Sequence, residues 1–130
     1  MPEKYTGKVA AVVIPGHEGS KYLIAKREDN GDCEFPGGKQ HTDENLLETA
    51  EREIQEELGL KIEAKELSEV HSYRSGGYNI IPVLAENTEE DFEIELVDHT
   101  DFRWIRPEEL DETKINLENE RNCLEAFDLL

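Results

Sequence analysis

The sequence predicts an α/β domain in which a mixed sheet is covered by helices on both faces. Three features predict it. Short β-branched runs are separated by turn residues, one long amphipathic segment lies between Thr42 and Gly59, and strand patterning then returns before a shorter helical stretch at the C-terminus. With 130 residues and apolar material for one compact core, residues 1–130 read as a single domain.

"KVAAVVI" at 8–14 is β-branched and stops at Pro15-Gly16, and "KYLIAKR" at 21–27 is a second such run. With "HEGS" between them as turn chemistry, the two read as a hairpin. "EDNGDC" is a polar loop, and Pro36-Gly37-Gly38 in "EFPGGK" marks a tight, glycine-dependent path. Thr42 or Asp43 can cap the helix that follows, whose first turn is rich in carboxylates. Leu46 or Leu47, then Ala50, Ile54 and Leu58, recur near a period of 3.6 and should face the core. Gly59 supplies a left-handed cap, and Leu60 the apolar contact that accompanies it.

Strands are expected around 62–73, 78–86 and 101–105, with "FEIEL" at 92–96 a further candidate through its alternation. Pro107 can open a short helical turn, and Leu117, Leu124 and Phe127 form a narrow apolar stripe on a final helix.

Thirty-two acidic and fourteen basic side chains give a formal charge of −18, far beyond the roughly 2–8 that suffices for solubility. Such a field repels nucleic-acid polymers and anionic membranes, which are bound through basic patches. A small anionic substrate remains open if a cation mediates its binding. The excess also suits a high-salt cytoplasm. No run approaches the ~20 apolar residues of a membrane span, and the first residues lack the apolar segment of a signal peptide. The expectation is therefore a cytoplasmic protein, monomeric or homodimeric. Cys33 and Cys123 match no metal spacing and read as reduced thiols, with a disulfide between them as the alternative. His17, His41, His71 and His99 share no ligand spacing either.

The end of the long helix is unusual. Glu53, Glu56 and Glu57 project from one side of it and crowd its last turns, where the helix dipole is negative. Each is unfavourable there by roughly 0.3–1 kcal/mol, and the spacings i,i+3 and i,i+4 add mutual repulsion. In a glutamate-rich chain this could be a solvated acidic face. A divalent cation would relieve both costs, and hard oxygen ligands suit Mg²⁺ or Mn²⁺ rather than zinc.

Gly38, Glu44, Arg52, Glu53, Ile54, Glu56, Glu57, Gly59 and Leu60 carry a resemblance that goes further: at every fixed position they match the box of the Nudix hydrolases. The resemblance implies a Nudix-type α/β/α sandwich with a mixed sheet. It also implies Mg²⁺-dependent hydrolysis of a nucleoside diphosphate linked to another group. By the same resemblance Glu53, Glu56 and Glu57 are metal ligands and catalytic, the Gly38 carbonyl is a further ligand, and Glu44 supports them from outside. Arg52 orients carboxylates, with Glu48 and Glu56 one turn away, and Lys39 contacts phosphate.

Within the family the chain looks most like the MutT-type enzymes that remove oxidised or noncanonical nucleoside triphosphates. "LIAKR", "EFPGGK", "FRWI" and "ENE" carry that likeness. It puts Arg27, Phe35 and Asn119 at the nucleotide, although Phe35 can equally be a core residue and Asn119 a helix N-cap. It also points to a catalytic carboxylate in the loop before the last strands, Asp98 first and Asp101 second. Two other readings stand beside it. Tyr78 is similar to the tyrosine of Nudix enzymes that cut dinucleoside polyphosphates, and the fold can also serve as a noncatalytic nucleotide-binding module.

Overall fold

The computed structural model describes residues 4–16, 21–27, 33–87, 99–108 and 117–129. In chain order these form β1 (Tyr5–Val13), β2 (Tyr22–Arg27), β3 (Cys33–Glu34), β4 (Gly37–His41), α1 (Leu46–Leu58), β5 (Ile62–Leu67), β6 (Tyr73–Ser75), β7 (Tyr78–Asn87), β8 (His99–Ile105) and α2 (Leu117–Glu125). The candidate strand at 92–96 lies outside the described residues.

One mixed sheet runs β4-β1-β7-β5, with β6 paired on β7; β1 and β7 are parallel and the other pairs antiparallel. A second, antiparallel sheet runs β3-β2-β8. The expected hairpin of the first two runs is thus corrected. They meet at one bridge, Pro15 to Tyr22, helped by the Leu23 amide donating to the Ile14 carbonyl at 3.1 Å, and then part into different sheets. The physical reason is that β1 is flanked on both edges already, by β4 and β7.

Side-chain alternation along β1 builds the layers. Ala10, Val12 and Ile14 join Leu46, Ala50, Ile54 and Leu58 of α1 in one core, while Ala11 and Val13 join Cys123 and Leu124 of α2 in the other. The helices therefore cover opposite faces of β1, as a mixed-sheet sandwich requires.

Several local expectations change. Asn45, not Thr42 or Asp43, caps α1: its side chain accepts from the Glu48 amide while Glu48 bonds back to the Asn45 amide, a reciprocal box worth about 1 kcal/mol. The run at 62–73 divides into β5, a turn and β6. The glycine segment after Pro36 is a strand, β4, on the edge of the mixed sheet. Other expectations stand: Gly59 caps α1 in the left-handed region at φ 64°, Leu60 is fully buried, and Pro107 and Glu108 form a helical turn. Cys123 is a buried free thiol, pushed up to about 12 chiefly by burial, so it is unreactive.

Glu120 on α2 is 7% exposed, and its Oε2 finds no hydrogen-bond partner among the described residues. Burial first, then the Glu34 charge, pushes its carboxyl from 4.5 up to about 7. A carboxyl raised in the folded state stabilises the fold at low pH and loses that contribution as pH rises from about 4.5 to about 7. Glu120→Gln should therefore raise the unfolding free energy at pH 8 by about 1–2 kcal/mol, and change it little near pH 4.5. Urea unfolding at the two pH values checks this. An equal effect at both would mean that ionisation of Glu120 is not responsible.

Candidate active site

The site is built where β4 runs beside α1. Gly38 packs so closely on Glu53 that a Cβ there would push the Glu53 carboxyl group out of its place. The same contact brings the Gly38 backbone to the carboxylate that the sequence marked as its co-ligand.

Arg52 organises the cluster. Its Nε and Nη2 donate to the two Glu44 carboxylate oxygens at 3.0 and 2.7 Å, in the fork geometry that arginine alone offers. Nη1 donates to Glu53 at 2.9 Å and Glu56 at 3.1 Å, and Nη2 also donates to the Lys39 carbonyl at 2.9 Å. The expected orienting role of Arg52 thus has a geometry, with one correction: Glu48 is engaged in the N-terminal box, and Glu44 and Glu53 take its place.

Glu44 also accepts from the His41 amide at 3.0 Å and the Thr49 hydroxyl at 2.8 Å. These donors, Arg52 above all, hold its carboxyl near 2. Thr49, fully buried, was missed in the sequence. Its signal is a hydroxyl on the apolar stripe, three residues after Leu46.

Glu53 is the opposite case: burial pushes it above the usual carboxylate range, against the pull of Arg52. Glu57 also buries a carboxylate oxygen, whereas Glu56 is largely exposed. The last turn of α1 contains no basic residue, and Arg52, one turn earlier, offsets part of its charge through Glu53 and Glu56.

As placed, no three acidic, histidine or cysteine side chains among the described residues converge to grip one ion. The hydrogen bonds explain why: Arg52 draws oxygens of Glu53 and Glu56 to itself. The donor set nevertheless fits a hard divalent cation, with carboxylates on one side of a helix and a bare glycine backbone packed on Glu53.

The other candidates scatter. Lys39 is exposed on β4, next to Gly38. Phe35 is 6% exposed and packs in the α2-side core with Cys123 and Leu124, which is the core placement. Asn119 is the third residue of α2, half-buried, so it is not the helix cap. Arg27 ends β2 opposite His99 of β8, and Asp101 lies on β8 opposite Lys26. Asp98 lies outside the described residues.

Comparison with known proteins agrees with this architecture. The NUDIX domain model matches residues 4–127. A MutT-like protein of Streptomyces ambofaciens is 31% identical over 111 residues, 85% of this chain and 70% of that protein. The solution structure of the E. coli ORF135 protein superposes with a TM-score of 0.70 at 28% identity, covering 93% of this chain and 87% of the other. A MutT protein from Methanosarcina mazei Go1 shares the fold, with a TM-score of 0.75 at 22% identity over 98% and 96% of the two chains. A family match across nearly the whole chain, together with the glycine, arginine and glutamates of the box gathered at one site, establishes that this protein belongs to the Nudix hydrolase family.

Proposed function

We propose that the protein is a Mg²⁺-dependent pyrophosphohydrolase that cleaves nucleoside triphosphates, oxidised purine nucleotides among them, to the monophosphate and pyrophosphate. The observation that carries this is the Arg52-centred carboxylate cluster packed on Gly38. Glu53, Glu56, Glu57 and the Gly38 carbonyl would hold Mg²⁺, or Mn²⁺ in its place. When bound, the ion supplies charge neutralisation at the phosphates and lowers the pKa of the attacking water.

The chain's own residues do the rest. Lys39, one residue beyond Gly38, offers a cation to the phosphates, and Arg52 aims the Glu53 carboxylate while opposing the upward push of its burial. Asp98, or one of the box glutamates, accepts the proton of the attacking water. Arg27 and Asn119 serve the nucleotide, whereas Phe35 supports the fold from the core; Asn119 can read a purine edge, since one amide both donates and accepts.

Asn119→Ala should reduce the preference for an oxidised purine triphosphate over its parent about ten-fold or more, with Mn²⁺ affinity unchanged. Competing the two substrates in one reaction measures it; an unaltered ratio would remove Asn119 from the base site. Tyr78 supports a second reading, hydrolysis of dinucleoside polyphosphates, because its ring stands beside Lys39. Faster cleavage of diadenosine tetraphosphate than of any triphosphate in a substrate panel would favour that reading instead.

A further inference from the structure

Lys39 does not extend freely into solvent. Its ammonium lies 4.8 Å from the centre of the Tyr78 ring and 5.7 Å from that of Tyr5, and Tyr5 in turn meets His41 edge to face with centroids 5.2 Å apart. The sheet dictates this grouping. Successive side chains of β4 face opposite ways. Gly38 faces Glu53 and α1, so Lys39 and His41 face the α2 side. Tyr5 pairs with His41 across the strands, and Tyr78 shares a face with Ile80, which packs in the α2-side core. At this end of the face Tyr5 is 47% exposed, while Tyr78 and His41 are half-buried.

We propose that Tyr78, assisted by Tyr5, is a positioning residue for Lys39, its ring holding the ammonium at the β4 edge ready for a phosphate of the substrate. The inference rests on the reading of Lys39 as a phosphate contact. Lysine is a point charge on a flexible four-carbon stem, and ordering that stem opposes binding. Here both ends of the residue are restrained. Arg52 donates to the Lys39 carbonyl at 2.9 Å and fixes the root, while the rings confine the tip. An exposed cation–π contact is weaker than a charge-assisted hydrogen bond to phosphate, so the seat orients the ammonium without trapping it. The guanidinium that aims Glu53 thereby also sets the origin of the lysine, so carboxylate and cation share one reference point.

The test compares Tyr78→Leu and Tyr78→Phe, each alone and combined with Lys39→Met. It reads both steady-state kinetics with a nucleoside triphosphate and the calorimetric Kd of a triphosphate analogue carrying a methylene between the α and β phosphorus atoms. Tyr78→Leu should raise KM and Kd about three- to five-fold while kcat is kept, and Tyr78→Phe, which preserves the ring, should restore both. In the Lys39→Met background Tyr78→Leu should add nothing. A full Tyr78→Leu effect in that background, or none with Lys39 present, overturns the positioning role alone. Wild-type affinity and kinetics in Lys39→Met would overturn the phosphate reading and this inference together.

Discussion

Glu57→Gln is expected to lower kcat at least ~10²-fold while leaving the fold intact, a loss of roughly 3 kcal/mol of transition-state stabilisation. Glu56→Gln should behave similarly. The argument starts from the helix. Glu53, Glu56 and Glu57 lie on the last turns of α1, where the dipole is negative, and the final turn itself carries no basic residue. Glu57 also buries an oxygen. Such an arrangement opposes the stability of the metal-free protein, so neutralising one carboxylate should leave the melting temperature unchanged or slightly higher. Calorimetric titration with Mn²⁺ should show at least ten-fold weaker binding in the variant. Unchanged activity, or a clear fall in the melting temperature of metal-free Glu57→Gln, would make the residue structural.

Arg52→Ala should be the most destabilising single change at the site, by about 3 kcal/mol at pH 7, and should also impair turnover. The Arg52 side chain is only 23% exposed and serves Glu44, Glu53 and Glu56, so its removal leaves the largely buried Glu44 and Glu53 carboxylates without their cation. Arg52→Lys should recover little, because an ammonium cannot fork across the two Glu44 oxygens while also reaching Glu53.

The effect should depend on pH in a defined sense. Glu44 is held down from 4.5 to about 2, chiefly by Arg52. A depressed carboxyl contributes stability above its unfolded value, and that contribution is lost as pH falls from about 4.5 to about 2. The gap in unfolding free energy between wild type and Arg52→Ala should therefore narrow between pH 6 and pH 2.5. Urea melts at the two pH values measure it. A gap independent of pH would show that packing of the arginine stem, rather than its charge, accounts for the loss.

The elements that the sequence revealed were those governed by local periodicity. Ala50, Ile54 and Leu58 mark the buried face of α1, and Gly59 its end, because a 3.6-residue repeat and a left-handed cap are written in neighbouring residues. The carboxylate cluster was legible for the same reason, since Glu53, Glu56 and Glu57 share a face of one helix. Non-local pairing was less legible. The parallel match of β1 with β7 and the departure of β2 into another sheet depend on which edges are occupied, which no local pattern records. The cap illustrates a closer competition. Thr42, Asp43 and Asn45 can all accept from an amide, and Asn45 prevails because Glu48 three residues on completes the reciprocal bond. Glu44 and Arg52 are eight positions apart; their fork requires the loop to fold back, so Glu48 was the nearer guess. Glu120 is buried only because α2 docks beside β1, and nothing in "ENE" announces it.

The Arg52-ordered carboxylates are proposed to serve cleavage of a pyrophosphate bond in a nucleoside triphosphate. Phosphorus NMR of a reaction containing the protein, Mg²⁺ and a nucleoside triphosphate tests it most directly. Resonances of the nucleoside monophosphate and of pyrophosphate should grow together, and their growth should stop on addition of EDTA. Release of orthophosphate with nucleoside diphosphate, or continued turnover in EDTA, would contradict it.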